Sequence, residues 1–396
     1  MTIGIDASRA NKKERTGTEW YSYHLIKKIS EIDKVNKYIL YTKEPLREDF
    51  NFLGPNFYNR VLRWPPKLLW SQLRLSLEMI FTPPEVLFVP AHTIPLIHPG
   101  KTITTCHDVG FEEFPALYSQ KKIGGGGLLS GIIGFLIKLL TFGRYSNNEL
   151  DYHRFSMRLA AKKAFKIITP SRFTAREIRK YYHLDEEKIK VTPLGYDRNY
   201  GLKKDEGAVS RVLDRYNLKS PFFIFIGRLE KKKNILGLVK SFYIFKKEYS
   251  GREKLVLIGA KGNGWEAAEQ FIRDKNLTAE VILPGWVSAK EIPLFYQAAQ
   301  ALVFVSYYEG FGLPALEAMA SGLPVIASNR GSLPEIIKEA GLMTHPDNHK
   351  KIAFFMRQMA KNKDLRQSLS AKGLARAKHF SWEKCARETH QIITES

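Results

Sequence analysis

Cysteine is nearly missing from this chain. Cys106 and Cys385 are the only two in 396 residues, which excludes a disulfide-stapled fold and fits a reducing compartment. Apolar runs of the roughly 20 residues needed to cross hydrocarbon are also missing. Residues 1–6 lead straight into a strand-like pattern with neither a basic nor a hydrophobic leader, so retention in the cytoplasm is expected. There is no aspartate-rich metal motif, and the spacing of His92 and His98 supports no metal site. Acidic residues are in short supply: 40 Asp and Glu face 62 Lys and Arg, a formal charge of +22. Such a field draws polyanions, whether nucleic acid, anionic lipid headgroups or phosphorylated substrates. No helix-turn-helix, zinc-finger spacing or RNA-binding aromatic motif accompanies it, so nucleic acid is not the expected partner.

What is present is a repeated alternation of strand and helix. Residues 2–6, 38–41, 86–89 and 102–106 read as short buried strands, and 17–30 and 68–81 as helices. Residues 42–66, crowded with Pro and Asn, read as a loop. Further on, 151–164 and 171–182 read as helices, the second capped by Ser171, and 165–169 and 189–195 as strands. In the second half, 222–226, 255–258, 281–283, 301–305 and 324–327 read as strands with helices between, and 350–360, 364–377 and 380–394 as helices. The class is α/β: two mostly parallel sheets, each covered by helices on both faces. At this length one core is too few, and the polar segment 197–205 is the expected boundary. Two Rossmann-like domains over 1–200 and 201–380 follow, facing each other across a cleft that would hold the ligand, with 381–396 as a terminal helix.

One segment breaks the alternation. Between 121 and 150, four glycines precede an apolar stretch of near 16 residues at 128–143, flanked by Lys121, Lys122 and Arg144. It is too short to span a bilayer and carries Lys138, so an interfacial contact with an anionic membrane fits better. A loop packed on its own domain, or a helix buried in an oligomer, would read the same way.

The chain is organised around Tyr308-Glu309-Gly310-Phe311-Gly312-Leu313-Pro314-Ala315-Leu316-Glu317. A buried strand precedes it and good helix formers follow, so the amides of Gly310, Phe311, Gly312 and Leu313 gather at a helix N-terminus, ready for an anion. Glu309 sits at the mouth of that turn and Glu317 about one and a half turns into the helix. Three other places carry chemistry. Gly17, in Arg15-Thr16-Gly17-Thr18-Glu19, opens the first long helix, where amides can meet a phosphate. His107-Asp108 follows a strand at its carboxyl end, where ligands bind in such sheets. Gly227-Arg228-Leu229-Glu230-Lys231-Lys232-Lys233-Asn234 leaves the first strand of the second half with a forked donor and mobile point charges, suited to a diphosphate. On charge alone, a solvated basic loop would look the same.

The 308–317 stretch resembles the signature of the family-4 retaining glycosyltransferases, two glutamates separated by seven residues. The resemblance spans nearly the whole chain apart from 121–150, and it implies the fold known as GT-B, with a terminal helix crossing back onto the first domain. It implies that Glu309 and the loop amides at Gly310, Phe311, Gly312 and Leu313 hold the donor sugar, and that Glu317 binds the ribose. Arg228 and Lys233 would meet the leaving diphosphate; the run of three lysines leaves the register of the second open. Gly17 would pack against the diphosphate, the main chain at Val287, in Pro284-Gly285-Trp286-Val287, would meet the base, and His107 would contact the sugar with Asp108 orienting its ring. The implied reaction moves a hexose, for which the general look of the family points to mannose, from a nucleotide-diphosphate sugar to an acceptor hydroxyl with retention; the apolar segment and the positive charge point to a lipid-linked or polysaccharide acceptor. No metal is implied where Arg and Lys stabilise the leaving group, and attachment would be peripheral, on the inner face of the membrane. A nucleotide-sugar 2-epimerase of the same architecture, or a non-catalytic polyanion binder that has kept the fold, are the alternatives.

Overall fold

A computed structural model of the chain describes residues 1–64, 70–118, 148–201, 205–218, 221–249 and 251–395. The chain divides into two compact units, Met1–Gly195 with Trp382–Ser396, and Tyr196–Ser381. The first break therefore falls ahead of the expected 200/201.

The first unit is built on β1 (Thr2–Asp6), α1 (Gly17–Ile32), β2 (Lys37–Thr42), β3 (Phe57–Val61), α2 (Leu75–Phe81), β4 (Val86–Val89), β5 (Thr102–Thr105), α3 (Gly110–Glu113), α4 (Glu149–Lys163), β6 (Lys166–Thr169), α5 (Arg172–Tyr182) and β7 (Ile189–Val191). Its strands form a wholly parallel sheet in the order β3-β2-β1-β4-β5-β6-β7. Strands covered on both faces must be apolar throughout, and β4 (Val-Leu-Phe-Val) is buried at every position.

Three expectations are corrected here. The loop expected over 42–66 contains β3, an edge strand whose Tyr58, Asn59 and Arg60 face solvent. Of the helix expected over 68–81, the described part begins at 70, and Trp70–Arg74 forms a wide turn ahead of α2, where Trp70 Nε1 donates to Leu62 O at 2.9 Å. The segment expected to run to 150 ends earlier, because Asn148 caps α4 by accepting from the Asp151 amide. The apolar stretch expected to contact membrane, 121–144, lies outside the described residues. Among the described residues no helix is long and apolar enough to cross a membrane.

The second unit contains α6 (Glu206–Arg215), β8 (Phe222–Ile226), α7 (Ile235–Glu248), β9 (Lys254–Ile258), α8 (Trp265–Asp274), β10 (Val281–Gly285), α9 (Ile292–Ala298), β11 (Ala301–Phe304), α10 (Leu313–Ala320), β12 (Val325–Ser328), α11 (Leu333–Ile337), β13 (Gly341–Thr344), α12 (His349–Lys361) and α13 (Lys363–Ala377). The sheet order is β10-β9-β8-β11-β12-β13, so both sheets reverse direction beside their first strand. β13, an edge strand, was not expected from sequence. Phe222, Phe223, Phe225, Phe242, Phe245 and Phe304 are all buried and fill the core, each such side chain contributing about 1.5–3 kcal/mol of transfer free energy.

A last helix, α14 (Trp382–Thr394), returns to the first unit. It buries Trp382, Cys385, Ala386, Thr389 and Ile393. It also pairs Glu383 with Lys28 at 3.0 Å and His390 with Asp33 at 2.7 Å.

Candidate active site

In doubly wound sheets, ligands sit at the carboxyl ends of the strands where the winding reverses. In the second unit that point lies between β8 and β11, and the two expected motifs leave those two strands. The loop after β8 ends at Asn234, whose left-handed backbone (φ 57°) starts α7. Its side chain donates to Val305 O at 3.1 Å and Pro346 O at 2.9 Å, while the Tyr307 amide donates to Lys232 O at 3.0 Å. These bonds tie the two loops together and bring the Lys233 ammonium to Glu309, 2.7 Å from each carboxylate oxygen. Both side chains are largely buried. An ammonium has three N–H donors, so two bonds to one carboxylate leave one for a further acceptor.

Glu309 is held from behind as well. Its carbonyl accepts from both the amide and the hydroxyl of Ser332 at 3.0 Å. A Cβ at Gly331 would stand 2.6 Å from that same oxygen, and Gly331 has φ 63°, so only glycine fits. The turn continues through Gly312 (φ 92°), which begins α10 without a side-chain cap. Within the first turn the Ala315 and Leu316 amides donate to Gly312 O at 3.0 and 3.3 Å and Pro314 has no N–H, so the amide left to another acceptor is that of Leu313. Phe311 is buried and meets Phe380 edge-on at 5.8 Å. Pro314 follows Leu313 in the first turn, a position where its missing N–H costs nothing.

Glu317, one turn further, does not join the Lys233–Glu309 pair. Burial lifts its pKa to about 8; Asp197 adds to the rise, and hydrogen bonds from Tyr200 and Tyr296 oppose it. Arg228 is more than half exposed, with its Nε 3.6 Å from Glu230. Val287 is buried just beyond the irregular end of β10, and its neighbour Trp286 is half exposed.

The first unit carries the other two expected positions. His107 follows β5, and its Nε2 lies 3.1 Å from Pro90 O. A carbonyl only accepts, so Nε2 bears the proton and Nδ1 the lone pair. Burial pushes the pKa of the ring down to about 4, with Arg9 reinforcing the shift. The ring donates from Nε2 to Pro90 O, and Asp108, expected to orient it, acts on it through its charge. The Oδ1 of Asp108 accepts from the Gly110 amide at 3.2 Å and the Tyr118 hydroxyl at 3.0 Å. Gly17 opens α1 behind a capping box of Thr16 and Glu19, with nothing within 4 Å of where a Cβ would stand.

Residues 16–200 match a family model described as Glycosyltransferase Family 4, and residues 214–376 one described as Glycosyl transferases group 1. O-antigen chain mannosyltransferase B of Escherichia coli is 32% identical over 290 residues, covering 73% of this chain and 69% of the relative. The chain belongs to glycosyltransferase family 4. O-antigen chain mannosyltransferase RfbU of Salmonella typhimurium is 27% identical over 291 residues, 74% of this chain and 69% of the relative. Among solved structures, WaaG, a glycosyltransferase involved in lipopolysaccharide biosynthesis, has a TM-score of 0.74 over the whole of both chains at 14% identity. Anabaena Alr3699/HepE in complex with UDP and glucose has a TM-score of 0.73 at 15% identity, covering 100% of this chain and 99% of its own. At those identities the likeness is one of fold, two Rossmann-like domains of GT-B type.

Several residues of this glycosyltransferase that build the site left no readable mark. Asn234 and Gly331 hold Lys233 and Glu309 in place, and Tyr200, Tyr296 and Asp197 surround Glu317. Arg9, half-buried at the carboxyl end of the first sheet, influences Asp6, Glu19, Lys43, His92 and His107 through its charge. The sequence signal available for it was position: a basic residue in the loop directly after the first strand.

Proposed function

We propose that this glycosyltransferase moves a hexose, with mannose as the first candidate, from a nucleotide-diphosphate sugar to a lipid-linked or polysaccharide acceptor, retaining the anomeric configuration. The observation that carries the reading is the Lys233 ammonium gripped by both oxygens of Glu309 beside an uncapped helix N-terminus, at the winding reversal of the second sheet. There the remaining N–H of Lys233, the guanidinium of Arg228 and the Leu313 amide that opens α10 would meet the oxygens of the leaving diphosphate. Fixed donors aimed at developing charge are the largest expected source of rate enhancement. They would do this without a metal ion. Glu309 would also hold sugar hydroxyls, and Glu317, backed by two tyrosines, would receive the ribose.

His107 would contact the donor sugar as a neutral ring, its Nδ1 able to accept a hydroxyl proton but not to carry charge at neutral pH. A double-displacement route like that of retaining hydrolases would need a carboxylate nucleophile on the opposite sugar face, a role given to none of the residues named above. Attack on the same face, assisted by the leaving phosphate, fits the named residues. Mannose is favoured by the mannosyltransferase names of the relatives, and a cell-surface polysaccharide product by their O-antigen descriptions. The segment 121–144 keeps its expected role at an anionic membrane on the inner face.

The test is a thermal-shift screen of GDP-, UDP- and ADP-sugars, because a bound donor stabilises the folded state. The stabilising donor is then incubated without acceptor and the released sugar followed by NMR. Slow release of nucleotide with the original anomer first to appear supports the reading. Interconversion of the sugar at C2 would replace it with an epimerase, and no stabilisation by any donor would leave a binder of other polyanions.

A further inference from the structure

Five of the large apolar side chains that the fold leaves exposed belong to one place in the first unit. On α2, Leu77, Ile80 and Phe81 are 44%, 50% and 78% exposed, at the i, i+3, i+4 spacing of a single helix face. Glu78, between them in sequence, turns inward and is bound by Arg60 at 2.7 Å and Arg74 at 3.2 Å, so no charge interrupts that face. Leu96 and Ile97, 37% and 49% exposed, lie alongside, because both of their amides donate to the hydroxyl of Ser76 on the same helix.

The surface leads on through His98, whose Nδ1 is 3.1 Å from Thr102 Oγ1, to Phe165, whose amide donates to Thr102 O. Phe165 is 41% exposed with the Lys166 ammonium 5.3 Å from its ring centre. Lys162 and Lys163 end α4 just before it, and Lys101 lies beside Thr102; all three are exposed. The acidic groups nearby are Glu85, whose carboxylate takes the Thr2 amide, exposed Asp185, whose charge acts on Lys188 (itself bonded to Ala161 O), and Glu186 and Glu187 before β7, of which Glu186 pairs with Arg179.

We infer that this face of the first unit, α2 with residues 96–97 and the lysines around Phe165, seats the enzyme on an anionic lipid bilayer. Two observations choose a bilayer over a second copy of the chain. A symmetric dimer through this face would gather the lysine rims of both copies into one interface. Apolar side chains standing out beside a rim of lysines suit the boundary between acyl chains and acidic headgroups. The surface is separate from the carboxyl ends of the strands, where His107 lies. The inference rests on the proposed lipid-linked acceptor only for the use made of the surface; binding itself can be tested without it.

The experiment is co-sedimentation of the full chain with vesicles of phosphatidylglycerol in phosphatidylcholine, and with phosphatidylcholine alone. Leu77→Ser/Ile80→Ser/Phe81→Ser should weaken partitioning to the mixed vesicles about tenfold or more. Lys162→Gln/Lys163→Gln should weaken it about fivefold per charge at low salt and leave the residual binding less sensitive to salt. Phe81→Ser alone, at the most exposed position, serves if the triple variant is not stably folded. Donor hydrolysis is measured in the same preparations, so loss of the transferase reading shows separately from loss of membrane binding. Wild-type partitioning by the triple variant overturns the inference. So does a change confined to self-association in sedimentation velocity, or complete loss of binding on deleting 124–143 alone.

Discussion

Replacing Lys233 by alanine should cost stability as well as rate. Its ammonium and the Glu309 carboxylate are 2.7 Å apart, with side chains only 17% and 9% exposed. Removing one partner of such a pair strands the other as an uncompensated charge, at about 3–5 kcal/mol when fully buried. The remaining exposure argues for the lower end, about 3 kcal/mol. For a unit of this size that corresponds to a fall in melting temperature of about 6–12 °C. Glu309→Gln keeps an acceptor and should cost about 1.5–3 kcal/mol. Lys233→Met/Glu309→Gln removes both charges and lets an apolar side chain meet Phe304, whose ring the ammonium now faces at 5.6 Å. The double variant should therefore be more stable than the sum of the singles predicts, by about 2 kcal/mol. The assay is thermal unfolding joined to hydrogen exchange of peptides covering 227–240 and 305–320, because the two units need not unfold together. Strict additivity, or Lys233→Ala melting with the wild type, would refute the buried-pair argument and leave Lys233 as a solvated lysine.

Arg228→Ala should separate chemistry from stability: its exposed guanidinium predicts a change within about 0.5 kcal/mol, with a severe loss of transfer, and a large fall in melting temperature would contradict that. Glu317→Ala should weaken nucleotide binding by about 1.5–3 kcal/mol, whereas Glu309→Gln should mainly lower turnover; equal effects on nucleotide affinity would defeat that division of roles. The folded-state pKa of Glu317, about 8 against an ordinary 4.5, means the native state holds a proton that the unfolded chain has released across that interval. Its contribution is favourable at low pH and fades as pH rises through about 8, by about 2–4 kcal/mol once part exposure is discounted. Glu317→Gln should flatten the melting profile between pH 5 and 9, and an unchanged slope would place the titration elsewhere. His107, held neutral down to about pH 4, should contribute no inflection to the rate profile between pH 5 and 8; an inflection removed by His107→Gln would show that its burial is relieved during turnover.

The central strands were legible because each is apolar at nearly every position and short, as a strand covered on both faces must be. The strands that escaped notice, β3 and β13, are both sheet edges. Phe57-Tyr58-Asn59-Arg60-Val61 offers solvent three polar or amphipathic side chains, and that pattern reads as loop. The site was legible where a motif is contiguous: the glycine turn with Glu309 and Glu317, and the basic loop with Arg228. Its internal geometry was not. Lys233 and Glu309 are 76 positions apart, and local periodicity has no term for contacts between loops of separate strands. The partner of His107 is a main-chain carbonyl, which any residue could supply at position 90. The tyrosines around Glu317 come from opposite sides of β8 in the chain, at 200 and 296, and read as ordinary core aromatics.

The return of α14 to the first unit bears on the order in which the molecule is made. Residues 196–381 form a contiguous unit and can close their core as soon as they leave the ribosome. The first unit, although synthesised earlier, must wait. The face of α1 that receives Trp382, with His24 stacked at 5.0 Å and Tyr21 beside it, stays open until residues 382–394 arrive. So do the sites on Lys28 and Asp33 that bind Glu383 and His390. A chain stopped at 381 should keep hydrogen-exchange protection in the second unit and lose it along α1, and equal protection of both would dissolve the argument. The half translated first is thus the half completed last, and throughout that interval an apolar helix face is left for a chaperone to cover.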